Sequence, residues 1–360
     1  MLNEKALLVG VKFPGDSQEM VMGSLLELEE LTKTAGAKVV DIIVQSRQNI
    51  DPKFYIGKGK VEEIRNFYDG EDKIDVLILN HEPSPGQIMN IETGLNIKVI
   101  TRTELIMDIF AIHAKTKSAK LQVELAQLNY QLPRLTGKGA SMSRLGGGIG
   151  TRGPGEQKLE IDKRAIRRKI FLIKEKLKGI SLEMQTRRKS RQMNEKKVGI
   201  VGYTNSGKSS LLNRLTNSDV HTEDKLFATL DTTTRKLWIN DQLSVVITDT
   251  VGFIRDIPHG LIESFKSTFE DTLYSDFLIH LVDASAPDFI EKIAVVEKVL
   301  AEISKVKIPM ILCFNKIDKL SVEELIDFRL KYPQANFISV KDDKNIDALK
   351  ETISQHFALK

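Results

Sequence analysis

The chain has 360 residues, of which 41% are hydrophobic and 28% charged. That is enough apolar mass for two or three folded domains, and it excludes a chain disordered over its whole length. A single cysteine excludes a disulfide framework and a cysteine-based metal cluster. No run approaches 18 apolar residues, and MLNEKALLVGVKF lacks the pattern of a signal peptide. The expected location is the cytoplasm, with a membrane-associated fraction left open. A monomer is expected. The net charge is only +4, but residues 158 to 191 carry thirteen Lys or Arg against four Asp or Glu. This excess exceeds that of the whole chain, so the remainder is net acidic. Such segregation points to a surface that faces a polyanion.

The first hundred residues alternate strand-like and helix-like patterns. Ala6–Val11, Val39–Val44 and Val76–Leu79 read as strands, with Val99-Ile100 a short fourth. Leu25 to Leu31 and Val61 to Phe67 read as helices. This predicts an α/β domain over 1–100. From Glu104 to Leu132 there is neither glycine nor proline, which predicts one long helix ending near Pro133. A glycine-rich loop over 136–157 follows, with six glycines in the ten residues from Gly146 to Gly155 and with Arg144 and Arg152 interspersed. A second helical pattern begins near Lys158. Together they predict an antiparallel helical hairpin over 101–190, then a linker over 191–197. From Val198 the α/β alternation returns, and a second α/β domain is expected over 198–360.

The chemistry lies in this last domain. Gly202-Tyr203-Thr204-Asn205-Ser206-Gly207-Lys208-Ser209 fits G-x-x-x-x-G-K-[ST], after an apolar strand and before a helical run. Backbone N–H groups of such a loop wrap phosphates, the lysine reaches the β- and γ-phosphates, and the serine ligates Mg²⁺. Asp249-Thr250-Val251-Gly252 follows at a strand end. The aspartate can hold the metal through water, and the glycine amide can sense the γ-phosphate. Asn315-Lys316-Ile317-Asp318 follows another apolar run. Its carboxylate can accept both donors on the N1–H and 2-amino edge of guanine, an edge adenine lacks. Ser339-Val340-Lys341 supplies a last loop near the base. Phosphate loop, D-x-x-G and N-K-x-D in this order predict a Ras-like P-loop GTPase domain. Between the first two motifs lies Phe227-Ala228-Thr229-Leu230-Asp231-Thr232-Thr233-Thr234-Arg235. One of its threonines should ligate Mg²⁺, and the pattern does not choose between Thr229 and Thr233.

The stretches GYTNSGKSSLLNRLT, FATLDTTTR, DTVGFI and FNKID resemble the HflX family of ribosome-associated GTPases. The resemblance extends to Tyr55-Ile56-Gly57-Lys58-Gly59-Lys60, Leu128-Asn129-Tyr130 and the glycine-rich run from Arg144 to Glu156. It implies Thr229 as the second Mg²⁺ ligand and places Phe227, Ala228, Thr229, Leu230 and Asp231 along the nucleotide. It implies that the GTP form binds the large ribosomal subunit and its RNA and dissociates stalled or idle ribosomes, hydrolysis resetting the protein. A ribosome-assembly or RNA-remodelling switch is the alternative, with ATP at the N-terminal domain. Val340 stands where the family more often has alanine.

Phe253 follows Gly252, where many GTPases place a glutamine that orients water. No catalytic residue is therefore assigned, and slow intrinsic hydrolysis stimulated by a partner is expected. Asn205 has two readings, a loop-shaping residue and a K⁺ ligand. Arg144, Arg152, Arg164, Arg167 and Arg168 are the expected RNA contacts, since cations on a helix bind phosphates without sequence preference. Gly57 to Lys60 reads as a turn before a helix or as a phosphate contact. Cys313 reads as a core thiol and Asp283 as a strand-end cap.

Overall fold

The structure, a computed structural model, describes residues 4–68, 73–135, 154–191, 195–217, 226–227, 232–240, 243–256, 259–264, 273–304 and 306–358. The chain divides into two compact units, Met1–Ile112 with Val123–Lys176, and His113–Gln122 with Leu177–Lys360.

The first unit is built on a four-stranded parallel sheet in the order β2-β1-β3-β4. Its strands are β1 (Lys5–Lys12), β2 (Lys38–Ser46), β3 (Val76–Leu79) and β4 (Lys98–Thr101). The apolar runs ALLVGV and VLIL are buried on both faces, as central parallel strands require. Three helices connect them: α1 (Gln18–Thr34), α2 (Lys58–Phe67) and α3 (Pro85–Leu95). Ser17 caps α1 by accepting from Met20 N. Gly57, at φ +93, is the N-cap of α2, so Gly57 to Lys60 forms a turn into a helix. The periodicity did not predict α3, although Ser84 and Gln87 form a complete capping box and Pro85 opens the helix.

The single helix expected over 104–132 is two. Helix α4 (Arg102–His113) stops, and α5 (Lys117–Arg134) restarts after Thr116, whose hydroxyl accepts from Ala119 N at 3.1 Å. A threonine that caps the next turn competes with continuing the previous one. Pro133 lies inside the last turn of α5 instead of beyond it. Helix α6 (Pro154–Arg191) starts with its proline in the first turn, where no N–H is needed, and runs to Arg191, the first residue of the expected linker. Lys169 of α6 meets Glu124 of α5 at 2.6 Å.

The second unit holds a six-stranded sheet in the order β10-β9-β8-β5-β7-β6. The strands are β5 (Lys196–Gly202), β6 (Thr233–Asn240), β7 (Leu243–Asp249), β8 (Phe277–Asp283), β9 (Met310–Asn315) and β10 (Asn336–Phe337). Only β6, antiparallel to β7, departs from the parallel arrangement. Among the described residues its helices are α7 (Lys208–Thr216), α8 (His259–Ser264), α9 (Phe289–Ile303), α10 (Val322–Lys331) and α11 (Ile346–Ala358). Val198, Ile200, Leu211, Leu215, Ile247, Ile279, Leu349 and Ile353 are core members shared by sheet and helices. A second cluster, rich in aromatics, gathers Phe314, Phe337, Phe289 and Phe328, with Phe314 and Phe337 stacked at 5.4 Å. It fixes the end of β9, where the N-K-x-D motif begins. The fold is mixed α/β with a parallel-sheet P-loop domain, as the sequence predicts. No helix among the described residues is long and apolar enough to cross a membrane.

Candidate nucleotide site

The sheet delivers every described motif to the carboxyl ends of its parallel strands, where ligands of open α/β sheets bind. Strand β5 ends at Gly202 and α7 starts at Lys208, so the loop between them opens onto a helix N-terminus. A Cβ on Gly202 would lie 2.2 Å from the Leu281 carbonyl oxygen. Gly207, at φ +95, would drive a Cβ to 2.5 Å from Asn315 Nδ2. Both positions therefore admit only glycine. Asn205, at φ +60, forms the exposed turn of the loop, while Thr204 and Ser206 are buried. The Lys208 ammonium is folded into the loop and donates to the Tyr203 carbonyl at 2.8 Å. Burial lowers its pKa to about 8, against the opposing pull of Asp249.

Ser209 Oγ donates to Asp249 Oδ2 at 2.6 Å, joining the first helical turn of α7 to the end of β7. The pair is a hydroxyl beside a fully buried carboxylate. That donor set is hard oxygen and fits Mg²⁺. Of the switch-one residues, Phe227 is buried and at φ +56. Ala228, Thr229, Leu230 and Asp231 lie outside the described residues. Thr233 opens β6 and stands opposite Asp249 in the ladder.

The D-x-x-G turn packs directly on the phosphate loop. A Cβ on Gly252 would come within 3.0 Å of Lys208 Nζ and 2.8 Å of Thr204 Cγ2. Thr204 N donates to Phe253 O at 2.7 Å, and Phe253 N donates to Gly202 O at 3.1 Å. Thr250 Oγ1 donates to Ile200 O at 2.7 Å, and Val251 is buried. The Phe253 side chain is 0% exposed. Its phenyl ring is a core group, and it offers nothing that could orient a water.

The N-K-x-D segment is stitched to the phosphate loop by two residues, Asn315 and Lys316. Asn315 Nδ2 donates to Ser206 O at 2.9 Å, and Asn315 Oδ1 accepts from Val340 N at 3.2 Å. Lys316, at φ +63, lays its ammonium between Asn205 O at 2.9 Å and Asp283 Oδ2 at 2.8 Å. Asp283 also accepts from Ser285 N, so it is more than a strand-end cap: it orients Lys316. Its position at the end of a strand beside the N-K-x-D strand was the available signal. Ile317 is buried, which leaves Asp318 at the rim of the motif. Ser339 Oγ donates to Asp318 Oδ1 at 2.6 Å, and this hydrogen bond holds the carboxyl below the usual range despite some desolvation. Ser339 is fully buried, whereas Lys341 is exposed. Asp318 is thus held in its ionised, acceptor-only form.

The expected RNA contacts divide. Arg164, Arg167 and Arg168 lie exposed on α6, with Arg167 3.7 Å from Glu160. Arg144 and Arg152 lie outside the described residues. Cys313 is fully buried and its thiol pKa is pushed up by burial, which makes it a core group.

Three family models match in tandem: "GTP-binding GTPase N-terminal" over residues 23–111, "GTP-binding GTPase Middle Region" over 113–191, and "50S ribosome-binding GTPase" over 197–316. A GTPase HflX of Caldanaerobacter subterraneus is 48% identical over 98% of this chain and 80% of its own. The chain belongs to the HflX family of GTPases. A GTPase HflX of Escherichia coli is 42% identical over 88% of this chain and 74% of its own. Among solved structures, a GDP complex of SsGBP matches with a TM-score of 0.54 and 27% identity over 98% of both chains. A GTP-binding protein from Sulfolobus solfataricus, also with GDP, matches with a TM-score of 0.51 at the same identity and coverage. As an HflX member with a P-loop domain, the protein is a GTPase, and GTPases of this kind act on Mg²⁺-bound nucleotide.

Proposed function

We propose that Gly202 to Ser209 hold the phosphates of GTP, and that Ser209 and Thr229 ligate Mg²⁺ while Asp249 holds it through water. Bound there, Mg²⁺ would neutralise charge developing between the β- and γ-phosphates. The Gly252 amide reads the γ-phosphate. Asn315, Lys316 and Asp318, with Ser339, Val340 and Lys341, select guanine. With Phe253 buried, intrinsic hydrolysis is slow and a partner completes the site. Asn205 shapes the phosphate loop through its positive φ. A K⁺ ion on Asn205 is the second role assigned to it, and equal turnover in K⁺ and Na⁺ would exclude that role.

In its GTP form the protein binds the large ribosomal subunit through ribosomal RNA and separates stalled or idle ribosomes. Hydrolysis then releases it. The observation that carries this reading is the basic helix α6, with Arg164, Arg167 and Arg168 exposed in a chain of a ribosome-associated GTPase class. Arg144 and Arg152 extend the same RNA contact. The test is a sucrose gradient of intact ribosomes mixed with the protein and a non-hydrolysable GTP analogue, against a GDP control. Separation of subunits, with the protein on the large one only in the GTP-like state, is the expected result. Persistence of intact ribosomes with the protein at the top of the gradient refutes splitting. Capture of precursor particles instead would favour the assembly role.

A further inference from the structure

We propose that Arg255 is a positioning residue for GTP, clamping the chain that follows the D-x-x-G turn onto helix α9 and so fixing the Gly252 amide over the phosphate loop. The inference rests on the assignment of Gly252 to the γ-phosphate made above.

Arg255 lies three residues beyond Gly252. Its backbone N–H donates to the Tyr203 hydroxyl at 2.7 Å, and Tyr203 is the second residue of the phosphate loop. Its guanidinium, 13% exposed, pairs with Asp288 and lies 3.6 Å from Glu291 Oε2. Asp288 is the N-cap residue of α9, and it also takes Lys292 Nζ at 2.7 Å. The Lys292 ammonium stands 5.3 Å over the Tyr203 ring. Three elements therefore close a ring: the phosphate loop through Tyr203, the post-turn segment through Arg255, and α9 through Asp288, Glu291 and Lys292. Between Gly252 and Arg255 the backbone is pinned twice more, by the Thr204–Phe253 and Phe253–Gly202 hydrogen bonds.

The geometry calls for arginine. One planar guanidinium spans two carboxylates three residues apart at the start of a helix, which the single ammonium of lysine does not. A partly desolvated ion pair of this kind is a stronger restraint than an exposed one. The restraint bears on one ligand group only. GDP makes no demand on Gly252, because it has no γ-phosphate. Loosening the segment therefore acts on GTP and spares GDP.

The test titrates fluorescent GDP and a fluorescent non-hydrolysable GTP analogue against the full chain with Mg²⁺. Arg255→Ala is expected to weaken the GTP analogue about tenfold, the effect of losing a charged hydrogen bond, while GDP binding stays within about twofold. Turnover should fall more than KM rises, and Arg255→Lys should recover only part. The milder Asp288→Asn/Glu291→Gln pair should reproduce the loss with the arginine intact, and Arg255→Asp with Asp288→Arg should restore part of it. Equal weakening of both nucleotides together with a lower melting temperature would make Arg255 merely structural and overturn the proposal. Gly252→Ala separates the two readings. If it leaves binding of the GTP analogue unchanged, or weakens GDP equally, the assignment of Gly252 falls. If it weakens the GTP analogue selectively while Arg255→Ala does not, the clamp falls.

Discussion

The role proposed for Asp318 depends on two neighbours. Ser339 takes one carboxylate oxygen at 2.6 Å, and the buried Ile317 beside it fixes the direction of the loop. The guanine edge needs a pure acceptor there, so Asp318→Asn, which turns half of that acceptor into a donor, should lower GTP affinity about a hundredfold. The same change suits xanthine, whose 2-position carries an acceptor, and competition between GTP and xanthosine triphosphate measures the exchange. His280 makes a different prediction. It lies in the middle of β8, 1% exposed, with no hydrogen-bond partner for Nδ1 among the described residues. Burial lowers its pKa to about 4, with the Lys208 charge adding to the effect. The unfolded chain titrates near 6.5, so below that pH it binds a proton that the fold rejects. Stability from this group is complete above about 6.5 and is lost as pH falls towards 4, by up to about 1.4 kcal/mol per pH unit. Melting temperatures at pH 7 and pH 5 should therefore fall further apart for the native chain than for His280→Asn. Equal shifts would show that His280 does not titrate with unfolding.

At the scale of elements, the long parallel strands were legible because parallel sheets bury both faces, leaving unbroken apolar runs such as ALLVGV and FLIHLV. Strand β6 was not legible. Its sequence TTRKLWIN is an edge strand with three exposed residues in a row, Thr234 to Lys236, so it lacks the apolar signature. It also shares residues with the threonine-rich stretch read as switch one. The break at residues 114–116 was hidden because neither glycine nor proline marks it; the signal was Thr116, whose hydroxyl caps the restart. The phosphate and base motifs were legible because each depends on a few residues with fixed chemistry at fixed spacing. The joints between them were not. Asn315 to Ser206, Lys316 to Asp283 and Arg255 to Asp288 are separated in sequence by 109, 33 and 33 residues, and only the sheet order brings them together.

For the whole molecule, the distribution of charge sets how it would meet RNA. The +4 total conceals a segment from 158 to 191 with an excess of nine positive charges, so the rest of the chain is net acidic. A uniformly basic protein would approach RNA by any face. Here the remainder would be repelled while the region of α6 would be attracted, so in the proposed binding long-range attraction would also orient the encounter. Because phosphates hold condensed counterions, each cation that neutralises a phosphate releases one, and affinity falls with salt in proportion to the number of contacts. Arg164, Arg167 and Arg168 are exposed on α6, and among the described residues Arg167 lies 3.7 Å from the Glu160 carboxylate. Changing all three to glutamine should lower the slope of log affinity against log salt by about two to three, measured on large subunits with the non-hydrolysable analogue. Weaker binding at unchanged slope would mean that the arginines meet protein or bases instead of phosphates. An unchanged affinity and slope would move the RNA contact off α6 altogether.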